Sequence, residues 1–270
     1  NVSRAAVARH FPSEGPDCED DDDAVPTVNP RDRNDIIGPP GFGENAWLLP
    51  DALLPYTIHF ENDPRQATAP AQEVFITNQL DADMDWTTFE LRSFGFGNTV
   101  VDVPAGRQTF DAQVEATNQD GTPLTVAVTS GINQSTGLAS WTFRSLDPAT
   151  GLLPDDPFAG FLPVNDATHR GEGFVSYIVR STAGGATGTR LDNSASIVFD
   201  VNDPLLTNSV FNTIDRGAPT STVAALPAQA LLASFPVNWS GTDDAGGSGI
   251  AFFDVFVSDN GGPFLPFQPA

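Results

Sequence analysis

The feature that most constrains this fold is a series of short segments in which apolar and polar residues alternate. Alternation with a period of two places successive side chains on opposite faces of a β-strand, so each segment can bury one face. Turn-forming clusters such as residues 119–122 (Gln-Asp-Gly-Thr) separate the segments. The seven clearest segments are residues 56–60, 74–76, 114–116, 124–128, 141–143, 174–179 and 195–199. The pattern predicts an all-β fold, built as an antiparallel β-sandwich.

Composition and charge further limit the fold class and the possible functions. The 270-residue chain contains 24 glycines and 23 prolines, which favour many tight turns over a bundle of helices. Acidic residues number 35 against 12 basic ones, giving a formal net charge of −23. That balance argues against nucleic acid as a partner, because binding a phosphate backbone needs a basic surface. Every basic residue other than histidine is arginine, so a Walker-type phosphate loop and a Schiff-base lysine are excluded.

The sequence shows neither a membrane-spanning segment nor a disulfide framework. No apolar run approaches the roughly 18 residues that a spanning helix needs, so we expect no membrane span. Residues 1–4 lack the charged, apolar and cleavage-site order of a signal peptide. Cys18 is the single cysteine, which excludes an intrachain disulfide. Cysteine usage leaves the compartment open, since a large β-domain can be stable without disulfides.

The alternation divides the chain into three parts. Residues 1–30 show no sustained period and carry an acidic run between two prolines, so we expect an extended acidic arm or linker with little regular structure. The seven segments above all fall within residues 31–216, the predicted β-sandwich domain. Residues 217–270 contain three further strand patterns, at 220–223, 235–239 and 250–257. An immunoglobulin-like or fibronectin-like sandwich needs about 100 residues, so this last part predicts only a partial module.

A partial module would leave an open sheet edge. The strand predicted at residues 250–257 places Phe253, Val255 and Val257 on one face, with too few further strands to cover that face or pair with the edge. Either the sandwich continues beyond residue 270 or another chain completes it. In the second case, an apolar segment of the arm containing Val2 could add to the sheet of the next copy. Such a strand exchange would propagate self-association into a filament unless the rotation closed a ring.

Two motifs, one at each end of the predicted sandwich, carry a family resemblance. Residues 31–39 read Arg-Asp-Arg-Asn-Asp-Ile-Ile-Gly-Pro, and residues 193–204 read Asn-Ser-Ala-Ser-Ile-Val-Phe-Asp-Val-Asn-Asp-Pro. They resemble the Asp-Pro-Asn-Asp opening and the closing segment of the conserved-repeat β-sandwich domains of large bacterial secreted and cell-surface proteins, with Arg33 in place of the usual Pro. Residues 219–262 are similar to the fibronectin-like modules that often follow. The resemblance implies a secreted or cell-surface location, but no particular activity, because such modules occur beside many enzymes and adhesins.

The densest acidic motif is the sequence Asp-Ala-Asp-Met-Asp at residues 81–85, in a predicted turn. Carboxylates this close repel one another unless a cation lies among them, and Ca²⁺ takes about six to eight oxygen ligands. An EF-hand loop has Gly and Glu at its sixth and twelfth positions, where this chain has Trp86 and Arg92, so that motif is excluded. The candidate calcium ligands are Asp81, Asp83 and Asp85. The alternative is three solvated turn residues.

Two further acidic clusters follow predicted strands. Residues 60–64 (Phe-Glu-Asn-Asp-Pro) end an early strand, and residues 199–204 (Phe-Asp-Val-Asn-Asp-Pro) end a late one. If both strands end at the same pole of the sandwich, their oxygens meet there. The later cluster also resembles the cadherin linker motif, in which such oxygens bind calcium between successive domains. The second set of predicted metal ligands is Glu61, Asp63, Asp200, Asn202 and Asp203; the alternative is strand ends capped by Asn and Asp.

The excess of acidic residues has two explanations that the sequence leaves open. One is that calcium or another cation neutralises clustered aspartates. The other is a highly saline habitat, in which a dispersed acidic surface keeps a protein in solution. Because the acidic residues are partly clustered, we favour divalent ions, with calcium as the candidate cofactor.

Catalytic motifs find little support in the sequence. The histidines lie in separate contexts, with His10 in the arm, His59 in a strand and His169 in a polar loop, and no pair has metalloprotease spacing. The four tryptophans are expected in the core rather than on a sugar-binding surface.

These observations lead to a prediction of a non-enzymatic structural or adhesive module of an extracellular bacterial surface protein. Its partners would be other protein modules or further copies of itself. The alternative from another class is an accessory, polysaccharide-binding domain of a secreted hydrolase.

Overall fold

A computed structural model describes residues 34–226, 235–259 and 261–267, together with the backbone of residues 2–9. All regular structure in these ranges is β-structure. The strands in chain order are β1 (Val2–Arg9), β2 (Ile36–Ile37), β3 (Trp47–Leu48), β4 (Leu53–Glu61), β5 (Glu73–Gln79), β6 (Met84–Phe96), β7 (Thr99–Asp102), β8 (Thr109–Thr117), β9 (Pro123–Asn133), β10 (Leu138–Leu146), β11 (Glu172–Ser181), β12 (Arg190–Asn193), β13 (Ala195–Phe199), β14 (Leu205–Leu206), β15 (Val210–Ile214), β16 (Thr220–Val223), β17 (Trp239–Thr242), β18 (Phe252–Asp259) and β19 (Leu265–Pro266). Within the described ranges, no helix is long and apolar enough to cross a membrane. The predicted all-β class is confirmed.

Two antiparallel sheets form the sandwich. One has six strands in the order β14-β13-β5-β10-β9-β8, and the other has five in the order β2-β4-β11-β6-β7. Each of the seven alternating segments of the sequence lies in a strand of one of these sheets, namely β4, β5, β8, β9, β10, β11 and β13. A small third sheet, β12-β15-β3, includes the parallel pair of β15 and β3. The antiparallel sandwich is thus present as the period of two predicted.

The core between the two large sheets is aromatic. Phe143 on β10 is fully buried. Its ring centroid lies 5.5 Å from that of Phe60 on β4 and 5.8 Å from that of Phe94 on β6, both in the opposite sheet. Trp141, two residues before it on the same face, packs 5.7 Å from Tyr177 on β11. Pairs of this kind contribute about 0.5–1.5 kcal/mol beyond the area that they bury.

One closed ring of hydrogen bonds lies inside the core and joins three sheets. Asn78 on β5, Tyr177 on β11 and Asn193 on β12 are all buried. The Tyr177 hydroxyl donates to Asn78 Oδ1. Asn78 Nδ2 donates to Asn193 Oδ1 at 2.6 Å, and Asn193 Nδ2 donates to the Tyr177 hydroxyl at 2.8 Å. Burial raises the pKa of Tyr177 well above its usual value, and the hydrogen bond from Asn193 opposes that rise only in part.

The segment after residue 216 forms small sheets, with strand positions shifted from those expected. The hairpin partner β17 begins at Trp239 rather than at residue 235, and β18 runs to Asp259. Both differences arise because strand ends depend on cross-strand pairing as well as on local apolar residues. The predicted limits of the three parts of the chain stay predictions.

The expectation of little regular structure in residues 1–30 is wrong for residues 2–9. Strand β1 pairs antiparallel with β18, in a register that runs from Val2 opposite Asp259 to Arg9 opposite Phe252. Strand β18 pairs on its other side with β19, so both of its edges are occupied. The edge that the sequence left open is therefore covered by the chain's own first strand. The rest of the predicted arm, residues 10–33, lies outside the described residues.

We expect Tyr177→Phe to destabilise the fold by about 1–3 kcal/mol, because it leaves two buried amides short of a partner while preserving the ring. The raised pKa of Tyr177 predicts a second effect, a dependence of stability on pH. A group with a raised folded-state pKa stabilises below its unfolded pKa, here about 10, and the contribution is lost as pH rises further. Denaturant unfolding of wild type should thus lose stability above pH 10 more steeply than the variant does. Thr77→Val, at an exposed position of β5, is the control; a Tyr177→Phe protein as stable as this control would contradict the role of the ring.

Candidate functional site

The predicted calcium loop at residues 81–85 covers the end of the turn between β5 and β6 and the first two residues of β6. Asp81 Oδ1 accepts the Asp83 N–H at 2.9 Å, and Asp81 Oδ2 accepts the Asp192 N–H at 3.2 Å. Asp85 Oδ1 accepts the N–H and the hydroxyl of Thr87 at 3.1 and 2.6 Å. Two of the three carboxylates therefore cap backbone groups of the turn. Calcium binding by Asp81, Asp83 and Asp85 stays a prediction.

The two predicted strand ends do lie at the same pole of the sandwich. Four of the five proposed ligands line a single cavity of about 330 Å³ beside the end of β4 and the end of β13. These four are Glu61, Asp63, Asn202 and Asp203. The fifth, Asp200, is turned to the start of β5, where its Oδ1 accepts the N–H groups of Gln72 and Glu73 at 2.9 and 2.8 Å. Asp200 thus caps a strand, as the alternative interpretation expected.

The charges at this pole are partly matched by donors of the protein itself. Arg65 lies 2.8 Å from Asp63, and its side-chain hydrogen bonds lower the pKa of the Asp63 carboxyl. Glu61 Oε1 accepts a hydrogen bond from Asn165 Nδ2 at 2.5 Å. Asn202 and Asp203 are exposed. A cation at this pole would therefore compete with protein donors for Glu61 and Asp63.

A third acidic cluster joins residues that the sequence reasoning did not connect. Asp215 follows β15, whereas Asp243 and Asp244 lie in the glycine-rich loop after β17. One carboxylate oxygen from each lies within 4.8 Å of the others, and within the described ranges this is the one such group of three or more His, Cys, Asp or Glu residues. In the sequence, the signal for this cluster is the Asp243-Asp244 pair in a predicted turn. That pair alone does not indicate that Asp215 lies beside it.

The polar contacts of this cluster come from both sides of the junction. Asp215 Oδ2 accepts the Ser248 N–H at 2.7 Å, and Asp243 Oδ2 accepts the Gly249 N–H at 2.6 Å. Asp244 Oδ2 accepts the hydroxyl of Thr187, which comes from the loop between β11 and β12. The three carboxylates are thus held in place while facing one another.

Two histidines lie within the described residues, and each contacts a carboxylate. His59 Nδ1 lies 2.8 Å from Asp35 Oδ1, and His169 Nδ1 lies 2.6 Å from Glu172 Oε1. His10 lies outside the described residues. The two pairs stand on different elements, with His59 on β4 and His169 in the loop before β11.

The tryptophans differ from the expectation that all four are in the core. Trp141 is buried, Trp47 and Trp86 are half-buried, and Trp239 is 44% exposed. Trp239 begins β17 in the small C-terminal sheet, where few strands are available to cover it. An expectation based on strand periodicity fails here because burial requires a second layer.

Comparison with known proteins gives one family match and several structural likenesses. Residues 160–213 match the model of a domain of unknown function, DUF7619. No curated protein matches the chain significantly. Similar solved structures include the N-terminal domain of the Streptococcus gordonii adhesin Sgo0707, with a TM-score of 0.37 and 11% identity over 68% of this chain. The matched part is 32% of that adhesin chain, well under two thirds of its length.

Two further likenesses are to domains of other bacterial surface proteins. Domains D2 and D3 of the major pilin SpaD from Corynebacterium diphtheriae match at a TM-score of 0.36 and 14% identity, covering 80% of this chain and 79% of that one. The collagen-binding domain of a Staphylococcus aureus adhesin matches at 0.32 and 9%, covering 67% and 95%. At similarities this low, none of these likenesses carries an argument about what this chain binds.

Proposed function

We propose that this chain is a non-enzymatic structural or adhesive module of an extracellular bacterial surface protein. The observation that carries the proposal is the use that the fold makes of its acidic residues. Seven aspartates each accept a hydrogen bond from the backbone N–H two residues further on: Asp63, Asp81, Asp85, Asp120, Asp147, Asp156 and Asp166. Six of these bonds hold a tight turn, and that of Asp85 lies at the start of β6. Such turns stabilise the connections of a sandwich. Seven of the 35 acidic residues thereby have an architectural role that involves no reaction centre.

The location and class follow from the sequence motifs at the two ends of the sandwich. The opening motif includes β2, which pairs with β4, and the closing motif includes Asn193, the last residue of β12, and the whole of β13. Asn193 of the closing motif belongs to the hydrogen-bond ring of the core. The residues that carry the resemblance to bacterial surface repeats are therefore residues on which this fold depends, which favours a shared structural role.

A glycan array and a panel of polysaccharide hydrolase substrates test this proposal against its alternative. We expect no turnover by the 270-residue chain, because glycoside hydrolysis needs two carboxylates on either side of the scissile bond, whereas the turn aspartates accept hydrogen bonds from their own backbone. The exposed Trp239 is the natural stacking surface for a sugar, so Trp239→Ala is the matched variant. Reproducible hydrolysis, or glycan binding that Trp239→Ala abolishes, would support the polysaccharide-binding hydrolase accessory domain instead.

Calcium is proposed as a stabilising ion at Asp81, Asp83 and Asp85 and at the pole formed by Glu61, Asp63, Asp200, Asn202 and Asp203. The shared cavity at the pole supports the second location, because Asn202 and Asp203 line the same cavity as Glu61. Within each set, protein donors already satisfy part of the oxygens, so we expect weak sites that fill at millimolar calcium.

Calcium at 100 times its dissociation constant should raise the free energy of unfolding by about 2.7 kcal/mol per site. We expect Asp203→Asn to remove the gain at the pole, and Asp83→Asn that at the turn. Asp111→Asn, at an exposed position of β8, controls for the loss of one charge. Thermal unfolding with calcium and with a chelator measures the effect; equal melting temperatures in the two conditions, with no calorimetric binding, would exclude these sites.

Self-association by strand exchange is proposed as the route to a filament. The observed β1–β18 pairing closes the module within one chain, and the same eight-residue register is open to β1 of another copy. Residues 10–33, which connect β1 to the sandwich, can span at most roughly 80 Å when fully extended. Exchange of an identical element between copies costs little, because the contacts made are the same.

A cysteine pair across this register separates the closed from the exchanged form. Ala5 and Phe256 are directly opposite in the ladder, where the Cα separation suits a disulfide. In a Cys18→Ser background, we expect Ala5→Cys with Phe256→Cys to give a ladder of intermolecular crosslinks that grows with protein concentration. Ala5→Cys alone is the control. Intrachain crosslinks alone at every concentration would exclude exchange.

A further inference from the structure

Three carboxylates converge at the junction between the sandwich and the C-terminal sheets. Asp215 comes from the last residues of the sandwich, and Asp243 and Asp244 come from the loop that leads from β17 towards β18. Their converging oxygens lie within 4.8 Å of one another. Three negative charges at this spacing repel one another, most strongly at the buried Asp215, because water screens the exposed Asp244 better.

A buried, unpaired carboxylate oxygen is the second observation, in a cluster where Asp215 is buried, Asp243 half-buried and Asp244 exposed. Asp215 has no exposed surface. Oδ1 of Asp243 is a buried oxygen that accepts no hydrogen bond, although Oδ2 of the same carboxylate accepts the Gly249 N–H. A buried carboxylate oxygen without a donor is costly unless a cation or another ligand satisfies it. The remaining lone pairs of Asp243 therefore point to a positively charged ligand.

Two glycines allow the three side chains to approach. A Cβ on Gly217 would lie 2.2 Å from Asp244 Oδ1, and a Cβ on Gly247 would lie 2.8 Å from the same oxygen and 3.1 Å from Asp215 Oδ1. The 2.2 and 2.8 Å distances are too short for a Cβ, so a larger residue at either glycine would displace the Asp244 carboxylate. The loop thus brings its backbone against the carboxylates while its N–H groups hold their outer oxygens.

We propose that Asp215, Asp243 and Asp244 bind a divalent cation of the calcium class. Every group in the cluster is a hard oxygen donor, which suits Ca²⁺ or Mg²⁺, whereas zinc and copper sites take imidazole or thiolate ligands. Calcium accepts irregular geometry and a mixture of carboxylate and water oxygens, so three carboxylates on two loops suffice as its protein ligands. Thr187 positions Asp244 through its hydroxyl.

This site goes beyond the proposed function, because it would join two parts of the chain. Asp215 comes from the end of the sandwich, and Asp243 and Asp244 come from the C-terminal sheets. A cation bound there would connect the end of β15 to the β17–β18 loop and so couple the C-terminal sheets to the sandwich. These residues are distinct from the turn at 81–85 and from the pole at the end of β4. The junction site can therefore be tested separately from the calcium sites proposed above.

The test compares the full chain with its Asp243→Asn variant, using calcium chloride as the probe. Asparagine keeps the shape and removes one charge; its single oxygen can accept the Gly249 N–H while its NH2 group faces the other two carboxylates. In a chelator we expect the variant to melt at or above the wild-type temperature, because repulsion is relieved. In calcium we expect the order to reverse, and calorimetry of the variant to lose one binding event that Asp111→Asn, Asp83→Asn and Asp203→Asn retain.

The reversal distinguishes a cation site from a structural cluster. If the carboxylates only support the loop, Asp243→Asn changes the melting temperature by the same amount in both conditions, and that result would overturn the proposal. Retention of every calorimetric binding event in Asp243→Asn would overturn it as well. Asp244→Asn provides a second variant with the same expected reversal, and circular dichroism checks that each variant keeps its β-structure.

Discussion

The hydrogen-bond ring of Asn78, Tyr177 and Asn193 is the interaction on which the sandwich depends. Hydrophobic burial alone is non-directional and would tolerate several relative positions of the sheets. The ring takes one residue from each of three sheets and leaves each amide correctly paired only in one arrangement. Because a half-satisfied buried network is worse than an apolar core, the ring selects the arrangement in which the aromatic residues around Phe143 also interdigitate.

The acidic residues divide into groups with different physical roles. Most described aspartates that make short-range contacts cap their own turn, as Asp120 does for Thr122. Others cap a distant strand, as Asp200 does at the start of β5. Asp215 and Asp243 form a third group, because each accepts a backbone N–H of the glycine-rich loop with one oxygen and also lies close to other carboxylates. A large negative charge in the sequence is thus compatible with several roles, and only the position of each oxygen separates them.

The candidate sites show which parts of a site can be predicted from local sequence. The pole that contains Glu61 and Asp203 could be anticipated, since each cluster directly follows an alternating segment and strand ends gather at the poles of a sandwich. The capping role of Asp200 could not, because it depends on the neighbouring β5. Asp215 and Asp243 lie on opposite sides of a junction, and the alternation of apolar and polar residues does not predict how the two sides meet. Trp239 is exposed for a related reason, as its sheet has too few strands to bury it.

The sequence by itself determined seven of the eleven strands of the two large sheets, because a period of two is a local property that requires one face to be buried whatever lies opposite. The long strand β6 was not among the seven. It also excluded a lysine-dependent site and a disulfide, since those residues are absent or single. Only the tertiary structure decided which strands are neighbours, that β1 pairs with β18, and that Asp215 meets Asp243 and Asp244. These contacts join residues far apart in the chain. Their energy comes from desolvation and long-range pairing, which leave no pattern in either segment alone.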